Sequence, residues 1–212
     1  MKGMAVTTIL RVLASPRPAS FSRQIACAIV DRMLAREPAA RLIDRDLARD
    51  PPPHPDGDFA DAIAAKSQPC AALARSDKMI AELEAADCVI IGTPMHNFTL
   101  PSSLKAWIDH VVRIDRTFRS TRQGKIGLLR DRPVIVVMAQ GGFCGDAPPL
   151  QPDHLAPDLR AILKTIGIDR VEFLRLEGLS RGDAQVEAAL SSAYAWIDKR
   201  WPSSDCGIGL SP

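Results

Sequence analysis

Three stretches of this chain hold the side chains whose types and spacing could do chemistry. The first is residues 14–22, in which Ser15, Ser20 and Ser22 stand just ahead of a predicted helix. The second is residues 93–101 (Thr-Pro-Met-His-Asn-Phe-Thr-Leu-Pro), and the third is residues 140–145 (Gln-Gly-Gly-Phe-Cys-Gly). Each follows an apolar run that predicts a buried β-strand. Ligands of open α/β sheets bind at the carboxyl ends of strands, so the three stretches could form one site.

The serine-rich stretch has the chemistry of a phosphate site. The N-terminus of a helix presents unpaired N–H groups and about half a positive charge, and nearby hydroxyl groups add neutral donors. The stretch lacks the Gly-x-Gly-x-x-Gly and Walker patterns, which disfavours a dinucleotide-binding Rossmann site and a P-loop. We therefore expect a monophosphate held mainly by neutral donors, with Arg17 beside it. The alternative is that Ser20 or Ser22 only caps the helix.

The other two stretches suit a flat ring with a polar edge. Asn97 can both donate and accept hydrogen bonds, as an imide-like edge requires. Two glycines let the backbone approach a flat ligand closely, and three further side chains are apolar or planar enough to line a ring. These residues are Gly141, Gly142, Met95, His96 and Phe98. A phosphate on the first stretch and such a ring on the other two describe flavin mononucleotide (FMN).

Two side chains of these stretches have a reactive as well as a passive interpretation. His96 could protonate a reduced acceptor, because imidazole gains and loses protons near neutral pH, or it could only pack on the ring. Cys144 could be a reactive thiol, but no base or cation is fixed beside it, which favours a small apolar filler. Apart from His96 as a candidate proton donor, we predict no catalytic acid or nucleophile from the protein, because the flavin would carry the chemistry.

Composition excludes several classes of protein. The net charge is +2 without a basic block, which argues against nucleic acid as a partner. The five cysteines form no Cys-x-x-Cys pair and none of the four histidines stands at metal-ligand spacing, so we expect reduced thiols and no metal. No signal peptide or membrane-spanning run is recognisable, and we expect a cytoplasmic protein. The length favours a single FMN-binding domain at residues 1–201 with a loose tail at 202–212.

The order of predicted elements indicates an α/β fold. Strands are predicted near residues 8–13, 41–47, 88–92, 133–139 and 170–176, and helices near 22–36, 71–85, 102–113, 155–166 and 183–201. The alternation predicts a flavodoxin-like, doubly wound, five-stranded parallel sheet of order 2-1-3-4-5 with helices on both faces.

Three other regions carry expectations of their own. Residues 50–69 are predicted to be a surface excursion with one short helix and a functional or interface role. Residues 117–130 are expected to be polar and turn-like. Asp109 and His110, on the helix after the second stretch, are expected to face solvent or a partner.

Several motifs together resemble one known family. They are residues 15–22 (Ser-Pro-Arg-Pro-Ala-Ser-Phe-Ser), 94–98 (Pro-Met-His-Asn-Phe), 104–109 (Leu-Lys-Ala-Trp-Ile-Asp), Thr117-Phe118 and Gly141-Gly142. Over about residues 8–197 the chain resembles the FMN-dependent NADH azoreductases, also described as NADH:quinone oxidoreductases of the flavodoxin-like fold. Residues 94–98 are the most specific part of this resemblance.

The resemblance implies roles for individual residues. The residues that would hold the FMN phosphate are Ser15, Ser20, Phe21 and Ser22. The residues that would hold the isoalloxazine ring are Met95, His96, Asn97, Phe98, Ala139, Gln140, Gly141 and Gly142. The family also implies a homodimer with the flavin site at the subunit interface, where Phe118 would line the substrate pocket. The chain departs from the family pattern at His96, usually Tyr, at Asp115, commonly Gly, and at Thr165, where some relatives place an aromatic residue.

We therefore expect an enzyme that moves two electrons from NADH or NADPH to a quinone or an azo compound by ping-pong hydride transfer. Three alternatives stay open, namely an NAD(P)H-dependent FMN reductase, a one-electron flavodoxin-like carrier and a flavin-free interaction module on the same fold. Such carriers tend to be strongly acidic, and this chain is not.

Overall fold

The centre of the molecule is a parallel β-sheet. The computed structural model describes residues 7–66, 70–144 and 151–202. The strands in these ranges are β1 (Thr8–Leu13), β2 (Arg41–Asp46), β3 (Cys88–Pro94), β4 (Phe118–Thr121), β5 (Gly124–Gly127), β6 (Val134–Ala139) and β7 (Val171–Leu176). Five of them form the sheet in the order β2-β1-β3-β6-β7, with every neighbouring pair parallel. Counted within this sheet alone, the order is consistent with the predicted 2-1-3-4-5.

The three central strands are apolar on both faces, which is typical of parallel strands covered on two sides. Alternate residues of each strand point into different layers. Ile9 and Ile90 belong to one buried layer, whereas Leu10 and Val89 belong to the other. The prediction of a buried sheet is confirmed by this arrangement.

Helices cover both faces of the sheet, as predicted. They are α1 (Phe21–Arg36), α2 (Gly57–Ala64), α3 (Ala74–Ala85), α4 (Ser102–Val111), α5 (Leu155–Thr165) and α6 (Asp183–Arg200), with a 3-10 turn at Ala71–Leu73 before α3. On one face α1 and α6 contribute apolar side chains such as Ile29 and Ile197. On the other face α3, α4 and α5 contribute side chains such as Leu83, Trp107 and Leu159.

The prediction of a turn-like segment at residues 117–130 is wrong, because β4 and β5 form an antiparallel hairpin there. Each strand has four residues, too few for an alternating pattern to stand out among polar side chains. Gly124 closes the turn with φ +124°. The hairpin packs closely on the end of α5, since a Cβ on Gly127 would lie 2.1 Å from the backbone nitrogen of Gly167.

The expectation that His110 faces solvent or a partner is also wrong. Its side chain is 3% exposed, its Nε2 lies 2.9 Å from the carbonyl oxygen of Pro53, and its ring meets that of Phe59 edge-on at 4.9 Å. His110 therefore fixes the surface excursion to α4. The excursion contains α2, in agreement with the predicted short helix. Asp109, by contrast, is half-exposed and pairs with Lys105 one turn earlier at 2.5 Å.

The start of β1 is held by one carboxylate. Asp87 accepts hydrogen bonds from the backbone N–H groups of Thr7 (3.1 Å) and Thr8 (3.0 Å), and it pairs with Arg130 at 2.8 Å. The hydrogen bond from the Thr7 hydroxyl and that from Arg130 lower the pKa of Asp87 from 3.8 to about 2.

Most of the predicted loose tail, residues 203–212, lies outside the described residues, as do Gly145 and residues 67–69.

Candidate functional site

A cleft of about 610 Å³ lies where the carboxyl ends of β3 and β6 meet. Its size falls in the range of small-molecule and cofactor sites. The residues that line it are Met95, Asn97, Phe98, Gln140, Gly141, Gly142, Gln151, Ser180 and Arg181. The second and third stretches of the sequence analysis therefore form two walls of one cleft.

A tight turn at Asn97 and Phe98 forms the first wall. The backbones of His96 and Thr99 exchange two hydrogen bonds, of 3.1 and 3.0 Å, around the two residues between them. Asn97 has φ +49° and Phe98 has φ +68°, as a type I′ turn requires. Asn adopts this conformation readily, but an aromatic residue there is strained by about 1–2 kcal/mol. Phe98 is also 44% exposed, and strain of this kind is characteristic of ligand sites.

Backbone hydrogen bonds hold this turn against its neighbours. The N–H of Met95 donates to the carbonyl of Ala139 at 2.8 Å, which extends the ladder between β3 and β6. The N–H of His154, just before α5, donates to the carbonyl of Phe98 at 3.0 Å. Two predicted ring contacts, His96 and Ala139, are not among the residues that line the cleft in the described part of the chain. His96 is exposed beside it, and Ala139 ends β6.

The loop after β7 forms the opposite wall. Gly178, Leu179 and Ser180 donate their N–H groups to carbonyls of residues 140–142 at 2.9–3.3 Å, and Ser180 Oγ donates to the carbonyl of Gly141 at 2.8 Å. A Cβ on Gly141 would lie 3.0 Å from that same Oγ, so the absence of a side chain permits the close contact. The loop after β7 and residues 140–142 are therefore held together as one rigid wall of the cleft, opposite the Asn97-Phe98 turn.

Sequence reasoning missed three residues of the cleft, namely Gln151, Ser180 and Arg181. The signal that could have found the last two is their position after a predicted strand, because the carboxyl end of the fifth strand lies beside that of the fourth. Gln151 carries no such signal, since it stands before a helix. Its Nε2 lies 3.3 Å from Cys144 Sγ and 3.7 Å from Met95 Sδ. The Gln151 side chain therefore lies between the second and the third stretch.

Gln140 is oriented by a carboxylate. Its Nε2 donates to Glu177 Oε1 at 2.5 Å, and the same oxygen accepts the N–H of Cys144 at 2.9 Å. A carboxylate accepts but does not donate, so the amide nitrogen must face Glu177 and the amide oxygen must face away. That oxygen is buried and has no partner among the described residues. Gln140 itself is 3% exposed.

The first stretch lies beside this cleft but does not line it. Ser20 is the N-cap of α1, with its Oγ accepting the N–H of Arg23 at 3.4 Å, so helix capping is its role in the structure. Ser15 Oγ accepts the N–H of Arg17 at 3.3 Å. Ser22 is 0% exposed, and its Oγ has no partner among the described residues.

Two arginines lie in or next to the first stretch, and only Arg23 pairs with a carboxylate of the described chain. Arg23 pairs with Asp46 at 2.7 Å and also donates to the carbonyl of Ser15 at 3.1 Å. The hydrogen bond from Arg23 lowers the pKa of Asp46 below its ordinary value. Arg17 is exposed and makes no ion pair within the described residues. Phe21 starts α1 and packs half-buried on the face shared with α6.

Phe118 is placed away from the cleft. It begins β4, is 9% exposed, and lies with its ring centroid 5.1 Å from Lys125 Nζ. Its role at a subunit interface stays a prediction.

In residues 7–66, 70–144 and 151–202, no group of three or more His, Cys, Asp or Glu residues could hold a metal ion, and no helix is long and apolar enough to cross a membrane.

Comparison with known proteins decides the family. A model described as the flavodoxin-like fold matches residues 7–201. FMN-dependent NADH:quinone oxidoreductase 2 of Cupriavidus pinatubonensis is 48% identical over 194 residues, which cover 89% of this chain and 94% of that protein. This chain belongs to the flavodoxin-like FMN-dependent NADH:quinone oxidoreductase family. A second member of this family, oxidoreductase 5 of Burkholderia lata, is 45% identical over 86% of this chain and 91% of its own length.

Solved structures agree with this family fold. An azoreductase from Bacillus anthracis superposes with a TM-score of 0.82 at 23% identity, covering 92% of this chain and 98% of its own. An FMN-dependent NADH-azoreductase from the same species, in complex with FMN, has a TM-score of 0.75 at 21% identity, covering 91% of this chain and 99% of its own. At these identities the likeness shows the fold alone.

The residues present fit the cofactor of the family. Ser22 Oγ and Gln140 Oε1 are two buried polar atoms without a partner in the described chain, and leaving such atoms unpaired costs about 1–3 kcal/mol each. Ser22 stands in the first turn of α1, where N–H groups and the helix dipole favour an anion. Asn97 and the backbone of Gly141 and Gly142 offer both donors and acceptors at the cleft.

Proposed function

We propose that this chain is an FMN-dependent NADH oxidoreductase that reduces quinones, azo compounds or both. The observation that carries the proposal is the cleft between the strained Asn97-Phe98 turn and the Gly141-Gly142 loop. It combines one exposed aromatic side chain with an amide and bare backbone, as a planar ring with a polar edge requires. The names of the relatives at 48% and 45% identity supply the donor, the cofactor and the quinone acceptor. The azo acceptor comes from the structural neighbours, which are named azoreductases.

In this proposal the first stretch binds the phosphate and the cleft binds the ring. The residues assigned to the phosphate are Ser15, Ser20, Phe21 and Ser22. The residues assigned to the ring are Met95, His96, Asn97, Phe98, Ala139, Gln140, Gly141 and Gly142. Bound FMN would supply two-electron chemistry between the donor and the acceptor. The chain would supply orientation, by the Phe98 side chain against the ring, and donors along the ring edge.

The role of Ser20 is the least direct of these assignments. Its hydroxyl caps α1, so it would act on the phosphate by fixing the N–H groups of the first turn. Ser22 would donate its free hydroxyl. Ser22 and Ser15 are 0% and 2% exposed, so a phosphate would reach their hydroxyl groups only after a local rearrangement.

Several parts of the proposal concern the whole protein. We assign residues 1–201 to one FMN-binding domain, and we propose a homodimer in which Phe118 of one subunit lines the pocket of its partner.

His96 either packs on the ring or protonates the reduced acceptor. NADH is the donor named for the relatives, and NADPH remains a candidate. The described cysteines are free, which supports a cytoplasmic location.

The deciding experiment is the visible spectrum of the purified protein. We expect a yellow protein with one FMN per chain, which bleaches on anaerobic addition of NADH and regains colour when a quinone is added. A protein that stays colourless and gains no flavin signal with added FMN would refute the proposal and favour the flavin-free alternative. Flavin that leaves the protein at each turnover would instead identify an FMN reductase. Transfer of single electrons without NADH oxidation would identify a carrier.

A further inference from the structure

Arg181 stands out among the residues of the cleft because of its charge. The other described residues that line the cleft are neutral. Arg181 is exposed, and its guanidinium forms no ion pair with any described carboxylate. Arg175, near the end of β7, provides a contrast, since it pairs with Asp153 at 2.6 Å. A cation is therefore available at the cleft wall without a counter-ion from the described chain.

The backbone beneath Arg181 is held in a fixed position. Its N–H donates to the carbonyl of Gly178 at 2.8 Å, which closes a four-residue turn. Gly178 and Gly182 have φ values of +71° and +98°, backbone conformations that residues with a side chain rarely adopt. Ser180, the neighbouring residue, is hydrogen-bonded to Gly141 through both its N–H and its Oγ. The backbone that carries the Arg181 side chain is therefore fixed relative to the Gly141-Gly142 loop.

Charge complementarity indicates what Arg181 would meet. An exposed guanidinium on a site wall binds oxyanions well, because its planar N–H fork matches carboxylate, sulfonate and phosphate groups. The phosphate of the cofactor is assigned to the first stretch, which does not line this cleft. With that assignment, an oxyanion that reaches Arg181 would belong to a substrate. A dinucleotide donor carries one in its pyrophosphate, and sulfonated or carboxylated acceptors carry one on the ring.

We propose that Arg181 binds an oxyanion of the substrates that enter the cleft and thereby favours anionic over neutral substrates. This inference rests on the proposed function, because it presumes that substrates meet the flavin in this cleft. It names a specificity-determining side chain and leaves the reaction itself unchanged. Since the contact is partly exposed, the preference is expected to weaken as ionic strength rises.

The test compares Arg181→Ala with Arg41→Ala in the FMN-loaded protein. Arg41 is exposed at the start of β2, at the opposite edge of the sheet, and its removal changes the net charge by the same amount. The flavin spectrum and its bleaching by NADH are recorded first. The donor arm then measures the Kd and reduction rate for NADH and for N-benzyl-dihydronicotinamide, which lacks phosphates. The acceptor arm measures calorimetric Kd and KM for anthraquinone-2-sulfonate and for menadione, which is neutral.

We expect Arg181→Ala to raise Kd or KM about fivefold to tenfold for the anionic member of at least one pair, as a partly exposed charge-assisted contact would. The neutral member should be unaffected, Arg181→Lys should retain part of the preference, and Arg41→Ala should behave as wild type. An effect confined to NADH identifies the donor phosphates, and one confined to the sulfonate identifies the acceptor.

Three results would overturn the inference. Equal changes for charged and neutral probes would show a structural role, and equal changes in Arg41→Ala would show a general charge effect. A shifted flavin midpoint potential with unaltered selectivity would show that Arg181 acts on the cofactor. A wild-type protein that binds no FMN would instead refute the proposed function, so the two failures are distinguishable.

Discussion

The carbonyl oxygen of Ser22 lies 2.9 Å from the position that a Cβ atom would occupy on Gly92. The methyl group of Ala26 and Cδ2 of Leu13 lie at 3.0 and 3.1 Å from the same point. The first turn of α1 therefore rests directly on β3, at a point where a side chain has no room. This contact sets the position of the assigned phosphate residues relative to the strand that leads into the cleft.

Gly92→Ala should therefore move the start of α1 and weaken flavin binding. Overpacking of a close contact costs about 1–3 kcal/mol of unfolding free energy. Denaturant unfolding and FMN titration would measure both effects. Gly57→Ala is the matched control, because nothing lies within 4 Å of its added Cβ. A Gly92→Ala protein as stable as wild type, with unchanged FMN affinity, would show that α1 adjusts without consequence.

Ser22→Ala and Ser20→Ala separate phosphate binding from helix capping. Ser22 Oγ has no partner in the described chain, so its removal should leave the stability of the FMN-free protein unchanged or raise it. FMN affinity should fall by about 1.5–3 kcal/mol, as for a hydrogen bond to a charged group. Ser20→Ala should lose about 1 kcal/mol of stability even without FMN, because it removes a cap. Loss of stability without loss of FMN affinity in Ser22→Ala would refute the phosphate assignment.

Phe98→Gly should stabilise the FMN-free protein and impair the flavin site. Glycine is preferred at this position of a type I′ turn, so relief of strain is worth about 1 kcal/mol. The same change removes the exposed ring that faces the cleft, so FMN should bind more weakly. Asp115→Gly is the control, since Asp115 also has positive φ (+58°) but does not line the cleft. If both variants kept wild-type FMN affinity, Phe98 would have no role at the ring.

Initial-rate kinetics should follow a ping-pong pattern. The glycine loop and the Asn97-Phe98 turn face one cleft, and donor and acceptor would both need to enter it. Double-reciprocal plots against NADH at several acceptor concentrations should then give parallel lines. Intersecting lines, together with a ternary complex in binding measurements, would show that both substrates bind at once.

The stabilisation that Asp87 contributes to the free energy of unfolding should be lost in acid. Its pKa is lowered from 3.8 to about 2 in the folded state, so folding favours the ionised form. The stabilisation is fully present above about pH 4 and is lost as the pH falls through about 2, with a size of about 2 kcal/mol. The difference in unfolding free energy between wild type and Asp87→Asn, measured from pH 7 to pH 2, should shrink accordingly. A difference independent of pH would contradict this account.

The five strands of the parallel sheet and the three loops could be predicted from the sequence because their signals are local. The run at residues 134–139 is apolar throughout, and such runs predict buried parallel strands without knowledge of their neighbours. The order of the strands then follows from general rules of connection. Together these placed Asn97 and Gly141 at adjacent strand ends, where the structure has them.

The features that sequence reasoning missed depend on contacts between distant residues. Ser180 is hydrogen-bonded to Gly141, 39 positions earlier; its place after a predicted strand indicates the correct edge of the sheet but not this contact. His110 is buried because the excursion returns to cover it with Pro53 and Phe59, although the helix pattern alone leaves that side open.

The excursion that is attached to His110 has an apolar cluster of its own. Phe59, Ala62 and Leu73 form a small apolar cluster separate from the layers of the sheet. Such a segment can open as a local foldon while the sheet stays intact. Opening must break the contact between His110 and Pro53, and His110 belongs to α4, which begins at Ser102, shortly after the Asn97-Phe98 turn. Amide exchange in the excursion therefore measures how often this cluster opens and uncovers His110.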